Sequence, residues 1–177
     1  MIVCGIDPGT THSGVVIYNT HEQKVVRCAD VDNDKILERL RLQHVSTHPI
    51  ETLYIEDIEP MGLPIGRSTL ETKEWIGRFR EAYENSIGRK VIHVFRGDEK
   101  TILCGRKTVT NPKTGRPKAV SDSQIRQAII DRFPPTGGGR IPQVGTKKKP
   151  GPLYGVSGHA WSALAVVLTG LELEGAR

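Results

Sequence analysis

Short apolar runs separated by turn residues dominate the first hundred positions, a pattern typical of β-strands. Three of these runs follow one another closely and predict a three-stranded meander over residues 1–7, 13–18 and 24–30. Later apolar runs predict two more strands, over residues 53–58 and 91–95. The first of these should end at Glu59 and Pro60, because a proline cannot continue a central ladder.

Apolar residues at helical spacing follow the strands. The predicted helical segments are residues 34–45, 69–88, 99–103, 121–133 and 158–171. Asn33 or Asp34 is the expected N-cap of the first, and Ser121 that of the fourth. The last segment is apolar around most of its circumference and should be largely buried. With 177 residues, the chain is predicted to fold as a single α/β domain.

Charge is unevenly distributed along the chain. The net charge is +5, yet residues 101–177 carry 12 Lys and Arg against 4 Asp and Glu. Two stretches in this half, residues 105–118 and 136–155, contain basic residues and no acid, and are predicted to be loops. The asymmetry favours a polyanion partner, most simply nucleic acid, over the alternative of an ordinary solvated basic surface.

The three cysteines, Cys4, Cys28 and Cys104, form no Cys-x-x-Cys pair. We therefore expect reduced thiols, neither disulfides nor zinc, and a cytoplasmic location. The longest apolar run, residues 163–168, is too short to span a bilayer, so no membrane association is expected.

Three segments carry candidate chemistry. Asp7 lies where the first strand meets a Gly-containing turn, which suits a metal or phosphate site, although Asp can also simply organise such a turn. Glu56 is flanked by apolar residues in a central strand, and a buried carboxylate normally has a cation, a hydrogen-bonding network or a metal as partner. His159 and Ser162 share one face at the start of the last helix, where His159 could be either a ligand or a structural residue.

Together these segments resemble the RuvC-like Holliday-junction resolvases of the RNase H-like superfamily, particularly the phage-type members. The resemblance covers nearly the whole chain and rests on the motifs G-I-D-P-G-T, Y-I-E-D-I and H-x-x-S-A-L-A and on the basic region. It implies a five-stranded mixed sheet, three antiparallel strands followed by two parallel ones, flanked by helices. It further implies two divalent cations, Mg²⁺ with Mn²⁺ as a substitute, held by Asp7 as bridging ligand, Glu56 and His159.

The fourth metal-binding position departs from the family pattern. Family members usually carry Asp three residues after the His or Asp, where this chain has Ser162. Serine is a weak ligand for Mg²⁺, so either two carboxylates, water and DNA phosphate hold one cation, or another acid such as Asp122 or Glu59 compensates. The departure also leaves open a protein of this fold that binds branched DNA without cutting it.

The resemblance also implies a homodimer that cleaves branched DNA, and a catalytic lysine near the scissile phosphate, which we assign to Lys100. Trp75, Phe79 and Tyr83 could serve the dimer face or the core. The loop over residues 61–67 is the candidate for entering the junction, although its Met and Leu could equally be packing residues. Arg96, which follows the fifth strand, is also expected to bind DNA. The remaining basic residues are expected to contact backbone phosphates, or else to solubilise flexible loops: Lys107, Lys113, Arg116, Lys118, Lys147, Lys148 and Lys149.

A different class of protein also fits one fragment. Actin-like and sugar-kinase-like ATPases carry D-x-G-T after their first strand, as residues 7–10 do here. Those proteins need two such domains, whereas this chain offers one and has no second Gly-rich phosphate loop. Saturable binding of ATP would support this reading.

Overall fold

A computed structural model describes residues 1–47, 49–59, 62 and 64–175. Five strands form the main sheet: β1 (Ile2–Asp7), β2 (His12–Asn19), β3 (Lys24–Asp32), β4 (Thr52–Asp57) and β5 (Ile92–Phe95). The α-helices are α1 (Asn33–Arg41), α2 (Arg67–Ile87), α3 (Arg96–Cys104), α4 (Asp122–Asp131) and α5 (Ala160–Gly175). None of the helices in these ranges is both long and apolar enough to cross a bilayer.

The strands lie in the order β3-β2-β1-β4-β5. β1 and β2, and β2 and β3, pair antiparallel, whereas β1 and β4, and β4 and β5, pair parallel. The predicted mixed sheet of three antiparallel strands followed by two parallel ones is therefore confirmed.

Alternation along the strands divides the core into two layers. In β4, Leu53 and Ile55 face α1 and α2, while Tyr54 lies on the side covered by α5. α5 packs across β1, β2, β4 and β5, and its apolar circumference is buried as predicted. Phe79 and Tyr83 of α2 are completely buried against the other face. These two aromatic residues therefore belong to the core and cannot form a dimer surface.

Several element boundaries differ from the predictions. The N-cap of α1 is Asp32, whose carboxylate accepts from the N–H groups of Asp34 and Lys35, so neither Asn33 nor Asp34 caps the helix. α3 is a nine-residue helix, longer than the predicted turn. α5 begins at Ala160, two residues later than predicted, because Gly158 has a φ of +51°, outside the helical region.

The first basic stretch is more ordered than the predicted loop. Its residues form a two-stranded hairpin, β6 (Thr108–Thr110) and β7 (Pro117–Ala119). The second stretch, residues 136–155, contains no helix or named strand, and close backbone contacts organise it. A Cβ on Gly137, for example, would lie 2.5 Å from the carbonyl oxygen of Pro142.

Cys4, Cys28 and Cys104 are free thiols. Cys4 is buried in the layer under α1 and α2, and burial raises the pKa of its thiol to about 12.

Candidate active site

Two carboxyl groups meet at the end of the parallel strands. The register pairs Ile6 of β1 with Ile55 of β4, so the next residues, Asp7 and Glu56, stand side by side. Both point to the α5 face, since Gly5, two residues before Asp7, contacts α5, and Tyr54, two before Glu56, packs there as well. The Glu56 carboxyl, when protonated, donates a hydrogen bond to Asp7. Only 18% and 19% of the two side chains is exposed.

The start of α5 supplies the next two groups. His159 lies immediately before the helix and its carbonyl accepts from the N–H of Ala163 at 3.1 Å, so it caps the helix. Its Nδ1 lies 3.6 Å from Asp7 Oδ2, and its side chain is 71% exposed. The Ser162 hydroxyl donates to Asp7. The structure thus brings together Asp7, Glu56, His159 and Ser162.

A glycine in β2 allows the start of α5 to lie close to Asp7. Gly14 of β2 pairs with Asp7 in the antiparallel register. A Cβ on Gly14 would lie 2.5 Å from the His159 carbonyl oxygen and 2.9 Å from the His159 Cβ. Only a residue without a side chain therefore lets the end of α5 reach the end of β1.

A third carboxylate was missed by the sequence analysis. Glu99 in the first turn of α3 is completely buried, and its Oε2 accepts from Arg96 Nη1. Its Oε1 is buried and has no hydrogen-bond partner within the described part of the chain. Arg96 also donates to Asp122, and its Nη1 lies 3.9 Å from Glu56 Oε1. The spacing of three residues between Arg96 and Glu99 was the one available signal, since it permits pairing on a helix.

Negative charge is concentrated at low exposure in this site. Burial, and then repulsion from Asp7, raises the pKa of Glu56 to about 7, although Arg96 opposes the change. Burial, and then repulsion from Glu56, raises the pKa of Glu99 to about 8. Burial also raises the pKa of Asp7, against hydrogen bonds from Glu56 and Ser162. The site therefore holds more carboxylates than Arg96 alone can neutralise.

The predicted basic residues fall into three groups. Arg96 is engaged by carboxylates at the site, and Lys100 is half-buried in α3, one residue after Glu99. Lys107 reaches the same sheet edge, since its Nζ would lie 3.2 Å from a Cβ on Gly97, at the start of α3. The others are exposed on the hairpin or in the second basic stretch: Lys113, Arg116, Lys118, Lys147, Lys148 and Lys149. The predicted junction loop is only partly described: Met61 and Leu63 of the loop, and Pro60 just before it, lie outside the described residues.

The donor set suits a hard divalent cation. Among the described residues, no three His, Cys, Asp or Glu side chains form a ready-made metal centre. Carboxylate oxygens are nevertheless the ligands that Mg²⁺ prefers. Asp7 and Glu56 lie side by side with little exposure, and Glu99 Oε1 is buried with no hydrogen-bond partner among the described residues. Asp7, Glu56 and His159 could therefore hold a divalent cation.

Comparisons with known proteins identify the fold. No protein-family model matches the chain, and no curated protein matches it by sequence. Two solved structures are similar to this chain, and each match covers 99% of this chain and 96% of the other. One is RuvC from Thermus thermophilus, with 18% sequence identity and a TM-score of 0.64. The other is RuvC from the same organism in complex with a Holliday junction substrate, with 17% sequence identity and a TM-score of 0.63. Over nearly its whole length, the chain therefore has the RNase H-like fold of the RuvC structures.

Proposed function

We propose that this protein is a Mg²⁺-dependent endodeoxyribonuclease that cleaves Holliday junctions or other branched DNA. The observation that carries the proposal is the Asp7–Glu56 carboxyl pair, which lies at the end of two parallel strands and faces His159. The likeness in fold to a RuvC bound to a Holliday junction substrate supports the choice of DNA structure.

Asp7 has the central position in the proposed chemistry. It contacts Glu56, His159 and Ser162, so it can serve as the bridging ligand while Glu56 supplies the second carboxylate. When bound, Mg²⁺, or Mn²⁺ in its place, offsets the negative charge that develops on the phosphoryl group. Ser162 orients the Asp7 carboxylate through its hydroxyl and is not itself a strong ligand.

His159 would either complete the coordination of the cation or, where it is not a ligand, orient or deprotonate the attacking water. Its ring is 71% exposed and lies at the mouth of the site, so a water between Asp7 and the substrate could reach it. A neutral imidazole near pH 7 accepts a proton readily, as general-base catalysis requires. Lys100, by our proposal, approaches the scissile phosphate from α3.

The basic hairpin and the second basic stretch would hold the DNA. Lys107 connects this surface to the site, because its ammonium group reaches the start of α3. Contacts of this kind recognise the phosphate backbone and make binding strongly dependent on salt. We further propose a homodimer, in which two sites cut a two-fold symmetric junction.

A cleavage assay tests the proposal. Purified protein is incubated with four-way, flap and linear DNA of matched sequence in Mg²⁺, in Mn²⁺ and in EDTA, with Asp7→Asn alongside. We expect paired nicks in the four-way DNA, dependent on the divalent ion and absent in Asp7→Asn. Intact branched DNA in both Mg²⁺ and Mn²⁺ would overturn the nuclease proposal.

A second candidate is a protein that binds branched DNA without cutting it, and Ser162 is the observation that favours it. Gel-shift binding of four-way DNA by wild type, without cleavage, would support this candidate. Ser162→Asp should then bring cleavage activity to a protein that had none. If wild type already cleaves, the second candidate is excluded.

A further inference from the structure

Glu99 is a fully buried acidic side chain to which the mechanism above gives no role. Its side chain has 0% exposure, and only one of its two oxygens has a hydrogen-bond partner in the described ranges. A carboxylate buried in this way destabilises a fold unless a cation or hydrogen bonds compensate both oxygens. Arg96 compensates Oε2 and leaves Oε1 without compensation.

The position of Glu99 relates it to the proposed cation site. β5 pairs with β4 so that Val94 stands beside Glu56, and α3 begins directly after β5. A single atom, Arg96 Nη1, contacts Glu99 Oε2 and also lies 3.9 Å from Glu56 Oε1. The two carboxylates thus flank one positive charge already.

The other acids near the site are less suitable as ligands. The Asp122 side chain is 85% exposed and pairs with Nη2 of Arg96. Glu59 is exposed beyond the end of β4, and its Oε2 lies 3.7 Å from the position of a Cβ on Gly97. Both are exposed, whereas Glu99 is fully buried and shares Arg96 Nη1 with Glu56.

We propose that Glu99 is the third carboxylate and the fourth protein ligand of the cation site, and that it replaces the acid that is absent at Ser162. Arg96 holds Glu99 in place before the cation binds and keeps Asp122 as its partner afterwards. This inference rests on the proposed function, because it names a further ligand of the same site.

Binding of Mn²⁺ to the protein without DNA tests the inference. Affinity and stoichiometry are measured by calorimetry and by electron paramagnetic resonance on wild type, Asp7→Asn, Glu99→Gln and the double variant Glu99→Gln/Ser162→Asp. Asp122→Asn is the matched control, because it removes another carboxylate from Arg96. We expect Glu99→Gln to weaken Mn²⁺ binding at least tenfold and Asp122→Asn to change it less than twofold. Ser162→Asp should restore most of the affinity lost in Glu99→Gln.

The outcomes separate this inference from the proposed function. If wild type binds Mn²⁺, Asp7→Asn does not, and Glu99→Gln binds like wild type, Glu99 is only an ion-pair partner of Arg96, and the inference is overturned while the site stands. If wild type does not bind Mn²⁺ without DNA, the inference is overturned, while the cleavage assay decides the nuclease proposal.

A measurement on wild type covers the case in which Glu99→Gln fails to fold. Fe²⁺ with ascorbate and peroxide cuts a polypeptide close to the bound ion, and mass spectrometry locates the cuts. We expect cuts at residues 98–100 that excess Mg²⁺ suppresses. Cuts confined to other segments would overturn the inference.

Discussion

Glu56 and Asp57 are neighbours in β4, yet their surroundings differ sharply. Asp57 faces α2, accepts from Lys73 and from the N–H of Ile58, and lies 3.0 Å from His93 Nδ1. Although burial favours its neutral form, these partners lower the pKa of Asp57. Glu56 faces α5, where burial and Asp7 raise its pKa to about 7. One carboxylate is matched with partners by the fold, and the other is not.

The difference shows how a structural acid is distinguished from a functional one. Asp57 accepts hydrogen bonds from the Lys73 ammonium group and from the backbone N–H of Ile58, so its charge is compensated on the α2 side of the sheet. On the α5 side, the Arg96 guanidinium lies near the carboxyl groups of Glu56, Glu99 and Asp122, and Asp7 lies beside Glu56. A bound cation would stabilise this excess of acidic groups.

The largest effect is expected on DNA cleavage. Glu56→Gln should lower the cleavage rate of four-way DNA by at least about 100-fold, equivalent to about 2.7 kcal/mol of transition-state stabilisation, because it removes a proposed ligand. Asp57→Asn, one residue away, should stay within about threefold of wild type. The measurement is single-turnover cleavage in Mg²⁺. Equal losses in the two variants would show that the α5 side has no special role.

The second effect concerns stability against pH in EDTA. The folded pKa values of Glu56 and Glu99, about 7 and about 8, lie above the ordinary value of 4.5. Between pH 4.5 and about 8, the folded state therefore binds more protons than the unfolded state, and the free energy of unfolding must fall as pH rises. We expect the free energy of unfolding in urea to fall by about 3 kcal/mol or more from pH 5 to pH 8, at about 1.4 kcal/mol per tenfold change in proton affinity.

Matched variants assign this pH dependence to one side of the sheet. Glu99→Gln should flatten the decline and be more stable than wild type at pH 8. Asp57→Asn should keep the decline, because the lowered pKa of Asp57 gives stability that is present above its ordinary value of 3.8 and is lost only as pH falls below it. A flat profile in wild type would contradict the prediction.

The smallest effects are expected from two glycines. A Cβ on Gly5 would lie 2.4 Å from the Ala163 carbonyl oxygen, so Gly5→Ala must displace α5 and should destabilise the fold by about 1–3 kcal/mol. A Cβ on Gly77 in α2 would meet nothing within 4 Å, and Gly77→Ala should stabilise by about 0.5–1 kcal/mol. Thermal unfolding of both variants tests this, and a stabilised Gly5→Ala would refute close packing of α5 on β1.

The parts of the site that follow local patterns could be predicted from the sequence. Asp7 ends an apolar strand, and Glu56 lies at an alternating position in another, so their place and face follow from the period of two. Helical spacing predicted that His159 and Ser162 lie together; in the structure His159 caps α5 instead of lying within it, and both still contact Asp7. The order of the strands in the sheet came from the family resemblance, because a local sequence pattern does not determine which distant strands pair.

Glu99 could not be found in this way. Its neighbours in α3 include Arg96, Asp98 and Lys100, and such a composition is typical of a solvated helix. Its burial depends on α3 packing against α4 and α5, two helices formed by residues far along the chain. The β6–β7 hairpin was missed for a related reason, since two strands of three residues each are too short to show an alternation that distinguishes them from a loop.

The pleat of β4 determines which of its residues face the site. Even-numbered residues, Tyr54 and Glu56, face α5, and odd-numbered residues, Leu53, Ile55 and Asp57, face the other helices. An insertion of one residue after Tyr54 would turn Glu56 away from Asp7 and toward apolar packing. Two acids that look interchangeable in the sequence are thus distinguished by parity, and the length of this strand is constrained by chemistry as well as by packing.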